Sequence, residues 1–294
     1  AHSACIHRKI DLLKGFSMQI CRSIVEMRAA VGAMSGSIGL VTTMGALHAG
    51  HMALVKAAST HDNVVATIFV NPTQFGDPSD LDTYPRTETE DLALLEQAGV
   101  AAVFIPTVGE IYPEGEETIV ESTNLANVFH GLVRPGHYRG VATVVTKLFN
   151  IIRADAAYFG EKDYQQLAVI RTMVRDLHMP IAIHGVQTVR EHDGLAMSSR
   201  NIRLTPADRA AAPILIAALT AAEVMIQDGA TVEAAHDIIA ATIATEPLAT
   251  LGAIDIVDPA TFAPATGTPS GPVGIMISAE FGEVMLIDQK EVTP

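Results

Sequence analysis

The chain predicts an α/β fold, a doubly wound parallel sheet followed by a smaller α+β C-terminal domain. Three observations carry that expectation. Continuous apolar runs rich in β-branched residues, Val64–Val70 above all, have the pattern of strands buried on both faces of a parallel sheet. These runs alternate with helical patterns and end in polar, turn-forming loops, as in repeated βαβ units. After Val189-Arg190-Glu191 the composition shifts to two Ala-rich helical stretches and then to strands in series, so the domain boundary is placed near residue 187.

Taken in order, residues 1–17 have poor periodicity and mixed charge and read as an N-terminal extension, with the fold beginning at Met18-Gln19-Ile20-Cys21. Ser23 to Val31 reads as a helix and Ile38 to Thr43 as the first core strand. The turn Met44–Gly50 and an amphipathic helix follow. Val64–Val70 leads into the polar loop Asn71-Pro72-Thr73-Gln74-Phe75-Gly76, at the strand edge where open α/β sheets hold ligands. Thr87 with Glu90 three residues on is the pattern of a capping box, opening a helix that runs through Gln97 and stops at Gly99. Val100–Ile105 is a third strand. The turn-rich basic loop Arg134–Gly140 precedes a helix on Val141, Val144, Val145, Leu148 and Ile152. Ala156–Phe159 is a strand entering Gly160-Glu161-Lys162-Asp163, followed by a helix to Leu177 and a strand at Ile181–Ile183. Thr205-Pro206-Ala207-Asp208 opens a helix with an N-cap, a proline at the first position and an acid in the first turn. Helices to Gln227 and over Val232–Thr245 follow. Three strands, near Ala253–Val257, Val273–Ser278 and Val284–Asp288, close the chain, with 259–272 an exposed connection.

With 294 residues, 49% of them apolar, the chain is ample for two cores. Trp is absent, so aliphatic side chains do the packing. No apolar run of about 20 residues stands out as a membrane span. Two cysteines, Cys5 and Cys21, without CxxC spacing give neither a disulfide framework nor a thiol redox motif. A formal charge of −14 argues against a nucleic-acid binder, whose affinity rests on Lys and Arg. It leaves room for a local basic cleft, and Arg134, Arg139, Lys147, Arg153, Lys162, Arg171, Arg175, Arg190, Arg200 and Arg203 cluster within one span.

Three stretches carry the chemistry. His48-x-Gly50-His51 opens a helix directly after a buried strand, where unpaired N–H groups and a partial positive charge favour phosphates. Its histidines are suited to donate hydrogen bonds to a polyphosphate, as in enzymes that transfer an adenylyl group. A chance surface pair and a zinc site are the alternatives, the latter lacking any third ligand pattern. Gly160–Asp163 offers Lys162 to an anionic oxygen and Asp163 to Mg²⁺; an ordinary acidic helix start would look the same. Met197-Ser198-Ser199-Arg200 after Asp193-Gly194 has the composition of a mobile phosphate clamp and gains weight from the upstream histidines. Gln74 and Gln166, at two strand ends, are neutral donor–acceptors fit for a hydroxy acid.

Six segments in this order, TTMGALHAGH, FVNPTQF, YPRT, RPGHYRGV, FGEKDYQQL and DGLAMSSRN, resemble the pantoate–β-alanine ligases (pantothenate synthetases), members of the HxGH nucleotidyltransferase superfamily. The similarity spans about residues 18–290. It implies a Rossmann-like N-terminal domain over 18–187 and a C-terminal lid domain over 188–294. It also implies ATP-dependent joining of pantoate to β-alanine through pantoyl-adenylate, releasing pyrophosphate and AMP. A cytoplasmic, Mg²⁺-dependent homodimer, acting on small molecules without nucleic acid or membrane, is the further expectation. By residue, the resemblance assigns Met44, Gly45, Ala46, Leu47, His48, Ala49, Gly50, His51, Gly160, Glu161, Lys162, Asp163, Val189, Met197, Ser198, Ser199 and Arg200 to ATP. It gives His51 the role of proton donor and makes His48, Lys162 and Arg200 its catalytic companions. Gln74 is assigned to pantoate and β-alanine, Gln166 to pantoate, and Asp163 in part to the metal. Two departures stand out: Thr42 replaces a usual Pro, and Glu280 stands where many members have Arg.

Overall fold

The aliphatic runs pair as parallel strands because each is apolar on both faces and must be covered by helices on both. The computed structural model describes residues 18–76 and 78–294. The expected extension 1–17, with Cys5, lies outside these residues. The strands β1 (Gln19–Cys21), β2 (Ile38–Thr43), β3 (Asn63–Ile68), β4 (Ala102–Phe104), β5 (Ala156–Gly160) and β6 (Ala182–Val186) form one sheet. Its order is β1-β4-β3-β2-β5-β6, every pairing parallel. The connecting helices are α1 (Ile24–Ala33), α2 (Ala49–Ala58), α3 (Pro78–Asp82), α4 (Glu88–Gln97), α5 (Val108–Ile111), α6 (His130–Val133), α7 (His137–Ile152) and α8 (Tyr164–Asp176). One face of the sheet packs Leu40, Val65 and Phe104 with α7 and α8 residues such as Leu148 and Ile170. The other packs Val41 and Ala66 with Leu54, Val55 and Leu95 from α2 and α4.

The chain winds from β2 outward through β3 to β4, then returns to place β5 on the other side of β2. The crevice beyond the carboxyl ends of β2 and β5 is therefore the topological switch point, where ligands settle in open α/β sheets. The Met44–Gly50 turn and the Gly160–Asp163 segment both end there.

The second core begins at Leu195 and is built from α9 (Pro206–Ala211), α10 (Ile214–Gln227), α11 (Val232–Ile243) and an antiparallel sheet, β7 (Ala249–Val257), β8 (Val273–Phe281) and β9 (Val284–Val292). Leu215, Leu219, Ile226 and Ile239 pack against Ile275, Ile277 and Phe281. The opposite face of this sheet turns toward the switch-point crevice.

Several expectations are corrected. Gln19–Cys21 is an edge strand; three residues with Ile20 45% exposed leave no pattern to read. The strand expected at Ile181–Ile183 runs instead over Ala182–Val186, and the one expected to begin near Ala253 starts at Ala249. Pro213 splits the helix that Thr205 opens. The 22-residue stretch Pro206–Gln227 is long and apolar enough by composition to cross a bilayer, contrary to the reading of the sequence, although its inner side, with Leu215, Leu219 and Ile226, is the domain core. The capping box at Thr87 does not form. Its side chain makes no cap bond; the hydroxyl donates instead to Asp91 Oδ1 at 3.2 Å.

Candidate functional site

Asp91, on α4 and 1% exposed, organises the turn after β2. Its carboxylate accepts the Ala46 N–H at 2.9 Å and the Leu47 N–H at 2.8 Å. Those bonds hold a backbone that enters the left-handed region twice, at Gly45 (φ +85°) and at Ala46 (φ +50°). The bent turn delivers His48 to the N-cap of α2. There its Nδ1 accepts from the Gly50 N–H at 3.1 Å, while the His48 N–H donates to His51 Nδ1 at 3.3 Å. The two histidines thus close a capping box of their own. Glycine is required between them, because a Cβ at Gly50 would lie 2.8 Å from His48 Cε1.

This geometry fixes the tautomers. With each Nδ1 accepting a backbone proton, each neutral ring carries its own proton on Nε2. Burial pushes His51 down to about 3, and the adjoining His48 ring pushes the same way. Burial, then Lys162, lowers His48. Both are neutral at pH 7, so they present N–H donors rather than cations. The rings are 4.1 Å apart between centroids. Asp91 and the two rings thus engage the amides of Ala46, Leu47, His48 and Gly50, and each ring keeps an Nε2–H donor for an anion.

The histidines open into a cavity of about 340 Å³ between the two sheets. Of the residues assigned to nucleotide, Met44, His48, Gly50, His51, Gly160, Lys162, Asp163, Val189, Met197, Ser198, Ser199 and Arg200 line it. Gly45, Ala46, Leu47, Ala49 and Glu161 do not. The first three face Asp91 or the α2–α4 core, Ala49 is exposed, and Glu161 lies beside Gly185 with its carboxyl pushed up by burial and by Glu291. Gln74 and Gln166 both line the cavity. Gln74 is oriented from three sides: Asn71 Nδ2 donates to its Oε1 at 3.0 Å, its Nε2 meets Met44 Sδ at 3.2 Å, and its carbonyl lies 2.9 Å from His137 Nδ1. Asn71 is 1% exposed and accepts from the Tyr112 hydroxyl at 2.7 Å, so the loop is fixed from below.

The structure also sorts the basic cluster. Lys147 pairs with Glu116, Arg175 with Asp176 and Arg190 bidentately with Asp288. Arg200 and Arg203 share Asp80, at 3.3 and 3.1 Å. Arg200, assigned to phosphate, is thus held across the cleft mouth by a carboxylate. Lys162 and Arg134 line the cavity and have no carboxylate partner among the described residues. Burial and Arg200 lower the Arg134 guanidinium, the position of a cation awaiting an anion.

Sequence reasoning missed Asp91, Asn71, Arg134, His137 and Tyr84 as site residues. Four of them lie in the motif segments FVNPTQF, YPRT and RPGHYRGV, so the signal was present without a role. Tyr84 and Ser199 both line the cavity, one from the 84–87 segment and the other from the 198–200 loop. Nothing in the sequence marks Asp91. Of the two departures, Thr42 lies one residue beyond the last β2–β5 pair, Val41↔Tyr158, and lines the cavity. Glu280 is exposed on β8, away from the cavity. Cys21 is buried and its thiol raised by burial, in keeping with an inert role.

No three His, Cys, Asp or Glu side chains among the described residues converge as a metal cage. Asp163, a cavity carboxylate beside Lys162, is a hard oxygen donor of the kind that suits Mg²⁺ carried largely by phosphates.

Comparison with known proteins agrees with this geometry. The Pantoate-beta-alanine ligase family model matches residues 19–291. The pantothenate synthetase of Agrobacterium fabrum is 46% identical over 283 residues, covering 94% of this chain and 96% of the relative. That of Chloroflexus aggregans is 49% identical over 275 residues, covering 92% and 98%. The crystal structure of pantothenate synthetase from Thermus thermophilus superposes with a TM-score of 0.90 at 44% identity, covering 94% of this chain and 100% of that one. Pantoate-beta-alanine ligase from Francisella tularensis, complexed with beta-gamma ATP and beta-alanine, gives 0.76 at 34% identity, covering 93% and 97%. Matched along nearly its whole described length in sequence and in fold, the chain belongs to the pantoate–β-alanine ligase family.

Proposed function

We propose that the switch-point cleft performs this ligase's two half-reactions with His48, His51 and Lys162 on the phosphates and Gln74, Gln166 and Arg134 on the acids. The activity is the ATP-dependent condensation of pantoate with β-alanine to pantothenate, through pantoyl-adenylate. The observation that carries the assignment of residues is the convergence of two neutral Nε2–H donors and one unpaired lysine on one wall of the cavity.

The chemistry follows from the groups present. A carboxylate does not exchange oxide for an amine in water, so one pantoate oxygen first attacks the α-phosphorus of ATP and pyrophosphate leaves. Negative charge grows on the phosphoryl and leaving oxygens, where Nε2–H donors and Lys162 stabilise it; a single such donor contributes about 3 kcal/mol. Because the imidazoles are neutral, they act as hydrogen-bond donors whose protons strengthen their hold as charge develops. Asp163 would help to hold Mg²⁺ brought with the nucleotide, and the ion would supply charge neutralisation. The branched carbon skeleton of pantoate suits the apolar recess of Val141, Val144, Val145, Leu148 and Phe159, while Gln74 and Gln166 meet its polar groups without adding charge. β-Alanine then attacks the acyl carbon and AMP leaves. Holding the amine beside the mixed anhydride can contribute about 7–11 kcal/mol.

The C-terminal sheet and the 198–200 loop, joined to the N-terminal domain through the Asp80 ion pairs, serve as the cover that keeps water from the adenylate. On the same reading residues 18–187 hold the substrates and 188–294 form the lid. A cytoplasmic homodimer is its working state, and neither nucleic acid nor membrane takes part.

The test is pantoate-dependent exchange of pyrophosphate into ATP without β-alanine, followed by AMP release on its addition. Exchange that ignores pantoate, or AMP release without β-alanine at the full rate, would overturn the reading.

A further inference from the structure

The cavity wall contributed by the C-terminal sheet holds one carboxylate that the reading above does not use. Along β7, Ile254 and Ile256 pack into the helix-covered core, so the intervening positions Ala253 and Asp255 turn to the cavity. Asp255 pairs across the sheet with Met276, itself a cavity residue, and has no hydrogen-bond or ion-pair partner among the described residues. The other cavity acids are engaged or assigned: Asp80 holds Arg200 and Arg203, Asp288 holds Arg190, and Asp163 stands next to Lys162.

Placing a carboxylate half-buried and unpaired costs free energy that a structural role would recover through a partner. His236 on α11 is close enough to influence Asp255, but its ring pairs with Asp237 instead. Burial raises the Asp255 carboxyl, so it accepts a proton more readily than an exposed aspartate. Arg134, which also lines the cavity, is a cation without a carboxylate partner among the described residues and is opposite in sign to Asp255. β-Alanine is a zwitterion whose charges are separated by two methylenes. It matches such a pair in sign at both ends.

We infer that Asp255 is a catalytic residue of the second half-reaction, receiving the ammonium of β-alanine and taking its first proton. The inference rests on the reading of the cleft as the ligase site and extends it to the C-terminal sheet. The ammonium cannot attack until one proton leaves. Asp255 accepts that proton and later returns it to solvent. The freed lone pair forms the C–N bond at the acyl carbon, and the bond between that carbon and the phosphate oxygen breaks, AMP departing with the electron pair. The remaining excess proton on nitrogen passes to water as the amide forms.

The test separates this step from the first half-reaction and from folding. In Asp255→Asn, pantoate-dependent pyrophosphate exchange should stay within about twofold of the parent, while kcat/KM for β-alanine falls by about 10²-fold, as for a lost general base. Hydroxylamine, uncharged at neutral pH, needs neither an ammonium receptor nor a proton acceptor. Its trapping of pantoyl-adenylate as the hydroxamate should therefore stay within about twofold in the same variant. Asp255→Glu should recover a large part of the β-alanine rate. An unchanged kcat/KM for β-alanine, or exchange, hydroxamate and pantothenate formation all falling together, would overturn the assignment. Absence of pantoate-dependent exchange in the parent enzyme would instead refute the site reading beneath it.

Discussion

Replacing Asp91 should damage both stability and the first half-reaction, although its carboxylate is buried outside the cavity. The side chain accepts two backbone N–H groups and the Thr87 hydroxyl. Hydrogen bonds to a charged group contribute roughly 1.5–3 kcal/mol each, and a buried amide left without an acceptor costs about 1–3 kcal/mol. Asp91→Ala orphans both amides of a turn that also carries the left-handed Ala46, so a loss of about 4 kcal/mol is expected after some relaxation. Asp91→Asn keeps the volume and one carbonyl acceptor but turns an NH₂ toward a donor, which places its loss at about 2 kcal/mol. The same turn feeds directly into the His48 N-cap, so the folded fraction of each variant should show pantoate-dependent exchange reduced by at least about tenfold, a displacement of roughly 1 Å being enough for such an effect. Urea unfolding gives the first quantity and isotope exchange normalised to folded protein gives the second. An Asn variant within about 0.5 kcal/mol of the parent, a shift ordinary for surface positions, and with undiminished exchange would refute the claim that this carboxylate sets the turn.

Two further outcomes are expected. His51→Ala removes one Nε2–H donor and the acceptor for the His48 amide, so exchange should fall by an amount equivalent to about 3 kcal/mol while the protein stays folded; near-normal exchange would contradict the role of the pair. Acid should destabilise the protein through its buried histidines. His51 is lowered to about 3 and His130 and His137 to about 4, in each case first by burial, from an ordinary 6.5. The unfolded chain therefore binds protons that the folded one refuses. The stabilising difference is fully present above pH 6.5 and is lost as pH falls from there toward the folded values, each histidine contributing up to about 1.4 kcal/mol per pH unit within that window. Unfolding free energies equal at pH 7 and pH 5 would show these rings to be hydrated in the folded state.

What the sequence made legible, and what it hid, follows from the range over which each interaction is written. Val64–Val70 reads as a buried strand because its seven residues are themselves the signal, and the HxGH start reads as a ligand-facing turn because the glycine, the histidines and the preceding strand are contiguous. Even there the chemistry differs from the expectation. Two of the amides that a bare helix start would offer to phosphate, those of His48 and Gly50, are taken by the ring nitrogens, Asp91 takes two more in the turn before it, and each ring is left with an Nε2–H to donate. That turn depends on an aspartate more than 40 residues away, and no local pattern announces it. Thr87 makes the same point in reverse. Its spacing to Glu90 is correct for a capping box, yet the hydroxyl is drawn to Asp91, because tightening a buried carboxylate that already holds the catalytic turn outweighs capping one helix. Arg134 was visible as one charge among ten. Only the fold isolates it and Lys162: of the cations that line the cavity, Arg200 and Arg203 share Asp80, and these two have no carboxylate partner among the described residues. Asp255 lay deepest, since its meaning depends on a C-terminal strand facing a crevice made by β2 and β5. Motif residues announce where substrates bind; the residues that orient those motifs, or complete the site from the other domain, are written only in the fold.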